Sequence, residues 1–381
     1  MKLLEKRNSK EWLRAAHRRF MRRFSIRVRA RGAKSKGGRF SHNGDMVTLD
    51  APKVIDLYAQ KNRAKSLSFI SSIVNAIKSP CNPNSTTRKV VHINLRCTEV
   101  ATAAAVLSMI SSVEFALNNV KGVKPRFRVT RPHAVNINGG KDRVRVVDSV
   151  LNRLGFYAAL GFKQFQSREM ANVKCWDIIR GVKVNSDAAG QMLQAVEASL
   201  VQRTSGKAQR LFGPLVEAMN NVVEHAYYPS IWRGAQPTGH RWWCFTALVA
   251  DKLTVLIGDK GVGIPATLEQ TQPKGLLDLL KQKVGGVFSS DADYIMAAMD
   301  VKRTRTSLSY RGNGGKDLKS AIEKIPNSRL TVISNKGVYR YHHVARNGNE
   351  SALKESRESS EQSIAGTIVE WSIPLPKGVL K

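Results

Sequence analysis

Long apolar runs are missing from this 381-residue sequence. The longest candidate, residues 103–110, is far shorter than the roughly 18 apolar residues that cross a bilayer, and it contains Ser108. A signal peptide needs about 7–15 apolar residues behind its charges, and arginines interrupt every such run near the start. We therefore expect neither a membrane span nor a secretory signal.

Cysteine is also scarce. The four cysteines, Cys81, Cys97, Cys175 and Cys244, lie far apart and show no paired spacing. This pattern favours reduced thiols over a disulfide framework or a zinc site. The sequence predicts a cytoplasmic protein.

Acidic residues are few relative to basic ones: 29 Asp and Glu stand against 62 Lys and Arg, which gives a net charge of +33. Residues 1–40 hold 15 of the basic residues and two acids, so this arm carries +13 and the other 341 residues carry +20. A field of this sign and size attracts polyanions. We expect nucleic acid as a partner, bound mainly through its phosphates.

The arm, residues 1–44, is predicted to form a basic amphipathic helix. Trp12, Ala16, Phe20 and Phe24 recur every four residues, and arginines occupy the other faces. The arginines expected to contact phosphates are Arg14, Arg18, Arg19, Arg22, Arg23, Arg27, Arg29 and Arg31. An anionic membrane surface, an acidic protein, a transit peptide and a solvated arm without a ligand are alternatives that fit the same pattern.

Residues 45–165 alternate between strand and helix patterns, which predicts a small α/β domain. The expected strands cover residues 46–49, 90–95 and 126–129, and the expected helices cover residues 52–78, 100–117 and 142–160. The strand, loop and helix over residues 93–107 resemble the centre of STAS-type domains, in which a serine at the helix start is phosphorylated. The nearest hydroxyl here is Thr102, and an ordinary α/β spacer domain fits equally well.

The second unit, residues 166–381, is predicted to begin with a strand at 175–184 and a helix at 188–200. A Ser- and Glu-rich stretch at 350–363 is expected to be a mobile loop. A long helix is expected at 208–228, and the residues expected on its buried face are Leu211, Leu215, Ala218, Val222 and Ala226. Beside that face, Glu217, Asn221 and His225 form a polar stripe, which predicts either a site wall or an exposed surface.

Three further segments contain residues that are suited to binding a ligand. A strand at 253–258 ends in Asp259, whose carboxylate can accept a hydrogen bond from an exocyclic amine, and Gly261 and Gly263 follow it. The glycine-rich residues 311–316 run into a helix at 317–325, and exposed N–H groups at a helix start suit phosphate oxygens. A final strand, residues 366–374, begins with a Gly-Thr pair that includes Thr367.

In order and spacing, these four segments resemble the motifs of the GHKL ATP-binding family, which groups gyrase, the heat-shock chaperone, histidine kinases and the mismatch-repair ATPase. The resemblance covers about residues 174–380. It implies an α/β fold of the two-layer GHKL (Bergerat) type in the carboxyl-terminal half, behind the small α/β domain and the basic arm.

The resemblance also implies roles for single residues. Asn221 would ligate Mg²⁺, Glu217 would activate the attacking water, and Asp259 would accept the adenine amine. The remaining residues expected to bind ATP are Gly261, Gly263, Arg311, Gly312, Gly314, Gly315, Lys316 and Thr367. Lys302, Arg303 and Arg305 occupy the segment where a lid would close. Gly315 stands where many relatives have an apolar residue, so the resemblance does not define the geometry of the lid.

Three functions fit the resemblance. The first is an ATPase that changes conformation with its nucleotide and acts with nucleic acid; Glu217 beside Asn221 and the charge of +33 favour it. The second is a Ser/Thr protein kinase of the anti-sigma type, and the third is a nucleotide-sensing module with little hydrolysis. A protein partner or a homodimer is compatible with each of them.

Overall fold

The computed structural model describes residues 42–43, 46–79, 89–136, 143–144, 146–166, 173–200, 206–232, 236–249, 251–283, 286–300, 314–345 and 351–376. The fold is mixed α/β, and its sheets are open. None of the helices in these residues combines the length and the hydropathy needed to cross a bilayer.

The amino-terminal unit has a parallel sheet with a helix packed on it. Its elements in chain order are β1 (His42–Asn43), β2 (Met46–Asp50), β3 (Val54–Ile55), α1 (Gln60–Lys78), β4 (Val90–Asn94), β5 (Val100–Ala101), α2 (Ala103–Asn119), β6 (Arg126–Thr130), β7 (Val135–Asn136), β8 (Arg143–Val144), α3 (Val146–Arg153) and α4 (Phe156–Ala159). The sheet order is β1-β2-β4-β6, with β2, β4 and β6 parallel. Val91 and Ile93 alternate onto the face that α1 covers.

The carboxyl-terminal unit is built on one large antiparallel sheet. Its elements are β9 (Val173–Cys175), β10 (Ile179–Gly181), α5 (Ser186–Ala198), a 3₁₀ turn (Gln209–Leu211), α6 (Phe212–Asn221), a π turn (Val222–Ala226), β11 (Trp242–Val249), β12 (Lys252–Asp259), α7 (Ile264–Thr271), α8 (Lys274–Lys283), α9 (Asp291–Asp300), α10 (Gly314–Glu323), β13 (Arg329–Ser334), β14 (Gly337–Ala345), β15 (Ser351–Ser359) and β16 (Thr367–Pro374). The strand order is β10-β11-β12-β16-β13-β14-β15, and β9 also pairs with β11.

Both faces of this sheet are buried in its centre. Face 1 carries Leu253, Val255 and Ile257 and packs against helices of the same unit, among them α6 and α10. Face 2 carries Trp243 and Leu256 and packs against α2 of the amino-terminal unit. One continuous apolar core therefore includes residues from both sides of the expected boundary at residues 165–166. The adjacent Trp242 and Trp243 point to opposite faces, and both are fully buried.

Polar contacts also join the two units on face 2. Arg180 donates hydrogen bonds to both carboxylate oxygens of Glu114, including one from Nε at 2.8 Å and one from an η nitrogen at 2.6 Å. The indole N–H of Trp243 donates to the same carboxylate at 2.7 Å. The Tyr58 hydroxyl donates to the buried carboxylate of Glu370 on β16. The amino-terminal unit is therefore held by paired groups as well as by apolar packing.

Most of the expected elements are present with shifted ends, but several expectations are wrong. The strand expected at 175–184 is instead two short strands, β9 and β10. Residues 350–363 were expected to form a mobile loop, but β15 pairs with β14 along its whole length. The segment is polar because an edge strand with exposed side chains needs few apolar residues. The helix expected at 142–160 is also wrong at its start, where Arg143–Val144 form β8. The rest is divided into α3 and α4 at Gly155, where φ is +81°.

Candidate functional site

Helix α6 and the π turn after it place the polar stripe beside the core. All five residues expected on the buried face, Leu211, Leu215, Ala218, Val222 and Ala226, are buried, which confirms that prediction. Asn221 is the last residue of α6, where the α-helix changes to a π turn. Single π turns inside helices are frequent at functional sites.

A cavity of about 160 Å³ opens next to this helix, and residues from five separate segments line it. The predicted site residues in its wall are Asn221, Asp259, Gly263, Gly315 and Thr367. Apolar side chains, including Ile257, Leu268 and Met299, supply much of the remaining wall. His225 also lines the cavity, and burial lowers the pKa of its imidazole.

Asp259 is the buried anion of the cavity, with only 6% of its surface exposed. Its Oδ1 accepts the main-chain N–H of Gly261 at 2.7 Å. The main-chain N–H and the hydroxyl of Thr367 also donate to the carboxylate. Burial nevertheless raises the pKa of Asp259 from 3.8 to about 6, because the charged form loses its hydration.

The two glycines after Asp259 are required by close contacts. A Cβ at Gly261 would lie 2.1 Å from the carbonyl oxygen of Ala226, so the turn lies directly against the π turn. Gly263 has φ of +85°, and a Cβ there would lie 2.5 Å from Nδ2 of Asn335. Gly261 does not line the cavity itself; its role in the structure is to bring a donor to Asp259.

Sequence reasoning missed the polar residues at the end of β13. The Ser334 hydroxyl lies 3.0 Å from that of Thr367 and accepts the N–H of Ile264 at 2.9 Å. Asn335 donates from Nδ2 to the carbonyl of Val262 at 2.8 Å. These residues fix the turn after Asp259 to the start of β16. The signal was a pair of polar residues directly after a buried strand.

Lys260 was missed as well. It is 9% exposed, and its Nζ donates to the carbonyl of Ile364 at 2.5 Å. Burial lowers the pKa of Lys260 to about 8, and the neighbouring Asp259 opposes that shift. The pair places a cation beside the buried carboxylate.

Glu217 lies one helical turn before Asn221 and is half-buried, outside the cavity wall. Burial raises the pKa of its carboxyl, and the charges of Asp317 and Glu224 raise it further. The side-chain amides of Asn220 and Asn221 donate to it and oppose the shift. Glu217 is therefore a more basic carboxylate than a solvated one.

The described residues contain no cluster of three or more His, Cys, Asp or Glu side chains that could hold a metal ion by themselves. Asn221 donates its amide N–H to Glu217, so its oxygen is the atom left to face a cation. A divalent ion here would need further oxygens from a ligand or from water.

Several expected site residues lie wholly or partly outside the described residues. Gly314 and Lys316 belong to α10, but the side chain of Lys316 is outside the described part. Arg311, Gly312 and the lid residues Lys302, Arg303 and Arg305 are outside the described residues. The same is true of the eight arm residues Arg14, Arg18, Arg19, Arg22, Arg23, Arg27, Arg29 and Arg31.

Comparison with known proteins gives no relative: no protein-family model and no curated protein matches this chain.

Proposed function

We propose that this chain is a Mg²⁺-dependent ATP-binding protein of the GHKL type, and that it hydrolyses ATP and acts together with nucleic acid. One observation carries the proposal: Asn221, Asp259, Gly315 and Thr367, which belong to four segments far apart in the sequence, line a single cavity. Four unrelated turns would have no reason to converge in this way.

The adenine end of the proposed site is the part of the cavity around Asp259. An ionised carboxylate there accepts the hydrogen bond of an exocyclic amine, while Ile257 and Leu268 offer apolar contacts to the faces of a flat base. Thr367 and the N–H of Gly261 hold the carboxylate in place. The residues present therefore fit an adenine.

The phosphate end is the part between α6 and the start of α10. Gly315 lines the cavity there, and main-chain N–H groups at a helix start suit phosphate oxygens. Bound Mg²⁺ would neutralise phosphate charge, with the Asn221 oxygen as its protein ligand. Glu217, with its raised pKa, would accept the proton of the attacking water.

The sheet supports the GHKL-type sandwich as the arrangement of this unit. The described strands of the sheet are antiparallel, helices cover face 1, and the cavity lies on that side. The cover on face 2 adds a further layer to a two-layer sandwich.

Transfer of phosphate to Thr102 within one molecule is not favoured by this arrangement. Thr102 precedes α2, and the N–H of Ala104 in its first turn lies 3.4 Å from the Tyr58 hydroxyl that contacts Glu370. Glu370 is on face 2, whereas Val369, the next residue along the strand, lines the cavity on face 1. The sheet thus lies between the cavity and Thr102.

The proposal is tested by titrating a fluorescent ATP analogue with and without Mg²⁺, and by following phosphate release. We expect Asp259→Asn to weaken binding by about 10- to 200-fold, since a hydrogen bond to a charged group contributes about 1.5–3 kcal/mol. We expect Glu217→Ala to retain binding and to lower turnover by about 10²–10⁴-fold.

The matched controls are Asp278→Asn and Glu361→Ala, which change exposed carboxylates away from the cavity. Both should behave as the unmodified protein does. ATP binding that is as tight in Asp259→Asn as in Asp278→Asn would refute the proposed site. Unchanged turnover in Glu217→Ala would refute the general-base role alone.

A further inference from the structure

One cross-strand row on face 2 is polar, unlike the apolar centre of that face. The strand registers align Thr254 with Ser372, Ser372 with Arg329, Arg329 with His342, and His342 with Lys354. Five neighbouring strands contribute, and strands lie about 4.8 Å apart, so the row extends over about 19 Å.

This row lies at the margin of the cover that the amino-terminal unit provides. Tyr58 contacts Glu370 and Arg340 in the next row, through its hydroxyl and through its main-chain carbonyl, respectively. Beyond that row, Lys354 is exposed and His342 is half-buried. Arg329 keeps 29% of its side chain exposed.

The charge of this region is positive. Lys252 lies beside the row on β12, two residues before Thr254, and adds its charge to those of Arg329, Arg340 and Lys354. The nearby acids are already engaged: Glu370 pairs with Arg329, and Glu358 pairs with Arg340. Cations therefore outnumber the acids around the row.

His342 lies among these cations. Its pKa is lowered to about 4, first by burial and then by the charges of Arg329, Arg340 and Lys252. Burial is the main reason that His342 stays neutral, and the three neighbouring cations act in the same direction.

We propose that Lys252, Arg329 and Lys354, named here the basic row, form a docking surface for the phosphate backbone of duplex DNA. Lysine, arginine and hydroxyl side chains make most contacts to DNA phosphates, and Thr254 and Ser372 supply hydroxyls in the same row. Single strands are commonly held by stacking on Phe, Tyr or Trp, and the row contains none of these residues. A surface of cations and hydroxyls without an aromatic stacking platform fits a duplex.

The inference rests on the nucleic-acid part of the proposed function and not on ATP binding. It assigns a second surface besides the arginines of the arm. The two contributions add, because each phosphate that is neutralised releases counterions.

The test is fluorescence anisotropy of a labelled DNA duplex with the full chain over a series of salt concentrations. The variant is Lys252→Gln/Lys354→Gln; Arg329 is left in place because it pairs with the buried Glu370. The charge-matched control is Lys274→Gln/Lys324→Gln, which removes two exposed lysines near the helices of face 1.

We expect the variant to bind the duplex about tenfold more weakly or worse at low salt. The slope of log K against log salt should fall by about 1.8, because each phosphate contact contributes about 0.9. The control should keep the slope of the unmodified protein, and both variants should keep its circular dichroism spectrum and its affinity for the ATP analogue.

Equal slopes for variant and control would overturn the basic row while leaving nucleic acid as a partner through the arm. If the unmodified protein binds no nucleic acid, both the proposed nucleic-acid partner and the proposed basic row are refuted. The proposal that the chain binds ATP is not affected by that result. Single-stranded DNA, duplex RNA and vesicles with anionic lipids are tested in parallel. Row-dependent binding that is tighter to one of these than to duplex DNA would overturn the choice of partner.

Discussion

Replacing Asp259 by Asn should stabilise the protein at neutral pH while it weakens ATP binding. The carboxyl is almost fully buried, and its pKa in the folded chain is about 6, compared with 3.8 as its ordinary value. Folding therefore disfavours the charged form, and the neutral amide of Asn avoids that cost. An acid retained for stability alone would show the opposite effect.

The magnitude follows from the two pKa values. Below pH 3.8 the carboxyl is protonated in both the folded and the unfolded state, so it costs nothing. As pH rises, the unfolded chain loses its proton first, and stability falls until about pH 6. The full loss is about 3 kcal/mol, of which about 2 kcal/mol falls between pH 4.5 and 7.5.

The assay is urea unfolding of the unmodified protein and of Asp259→Asn at a series of pH values. We expect the free energy of unfolding of the variant, relative to the unmodified protein, to rise by about 2 kcal/mol from pH 4.5 to 7.5. Asp278→Asn, which makes the same substitution at an exposed site away from the cavity, is measured in parallel as the control. A flat difference for Asp259→Asn would show that this carboxyl is not held against its ionisation, and the reasoning would fail.

Two further substitutions test contacts that position the site. Gly261→Ala places a Cβ 2.1 Å from the carbonyl oxygen of Ala226, and we expect a loss of about 2 kcal/mol in unfolding free energy together with weaker ATP binding. Gly275→Ala, in α8 with open space around it, should be neutral or slightly stabilising; equal effects of the two would contradict the close approach. Tyr58→Phe removes the hydroxyl that donates to Glu370 and should cost about 1.5–3 kcal/mol in urea unfolding, with ATP binding retained. No loss of stability would show that this bond does not hold the two units together.

The sequence predicted the parts of the fold that local patterns determine. The apolar spacing of Leu211, Leu215 and Ala218 located the buried side of α6, because helical period alone decides which residues share a face. Strand β12 and its end at Asp259 were also expected, since the apolar run and the glycines after it mark both boundaries. In the site, Asn221 and Thr367 line the same cavity as Asp259.

What the sequence did not predict depends on contacts between distant segments. Strand β15 was missed because an edge strand is specified by pairing with β14, and its polar composition resembles that of a loop. The cover on face 2 was missed as well, although Trp242 and Trp243 side by side indicate a strand buried on both faces. Ser334 and Asn335 were missed because their role comes from hydrogen bonds to residues about 30 and 70 positions away.

Strand β16 borders both the cavity and the junction with the amino-terminal unit. Thr367 and Val369 line the cavity, while Ile368 and Glu370, which alternate with them, lie in the junction with the amino-terminal unit. A pleated strand cannot be displaced on one side only. If a ligand tightens the hold of the sheet on the amino-terminal unit, that unit must increase the affinity for the ligand by the same factor, because linkage is reciprocal.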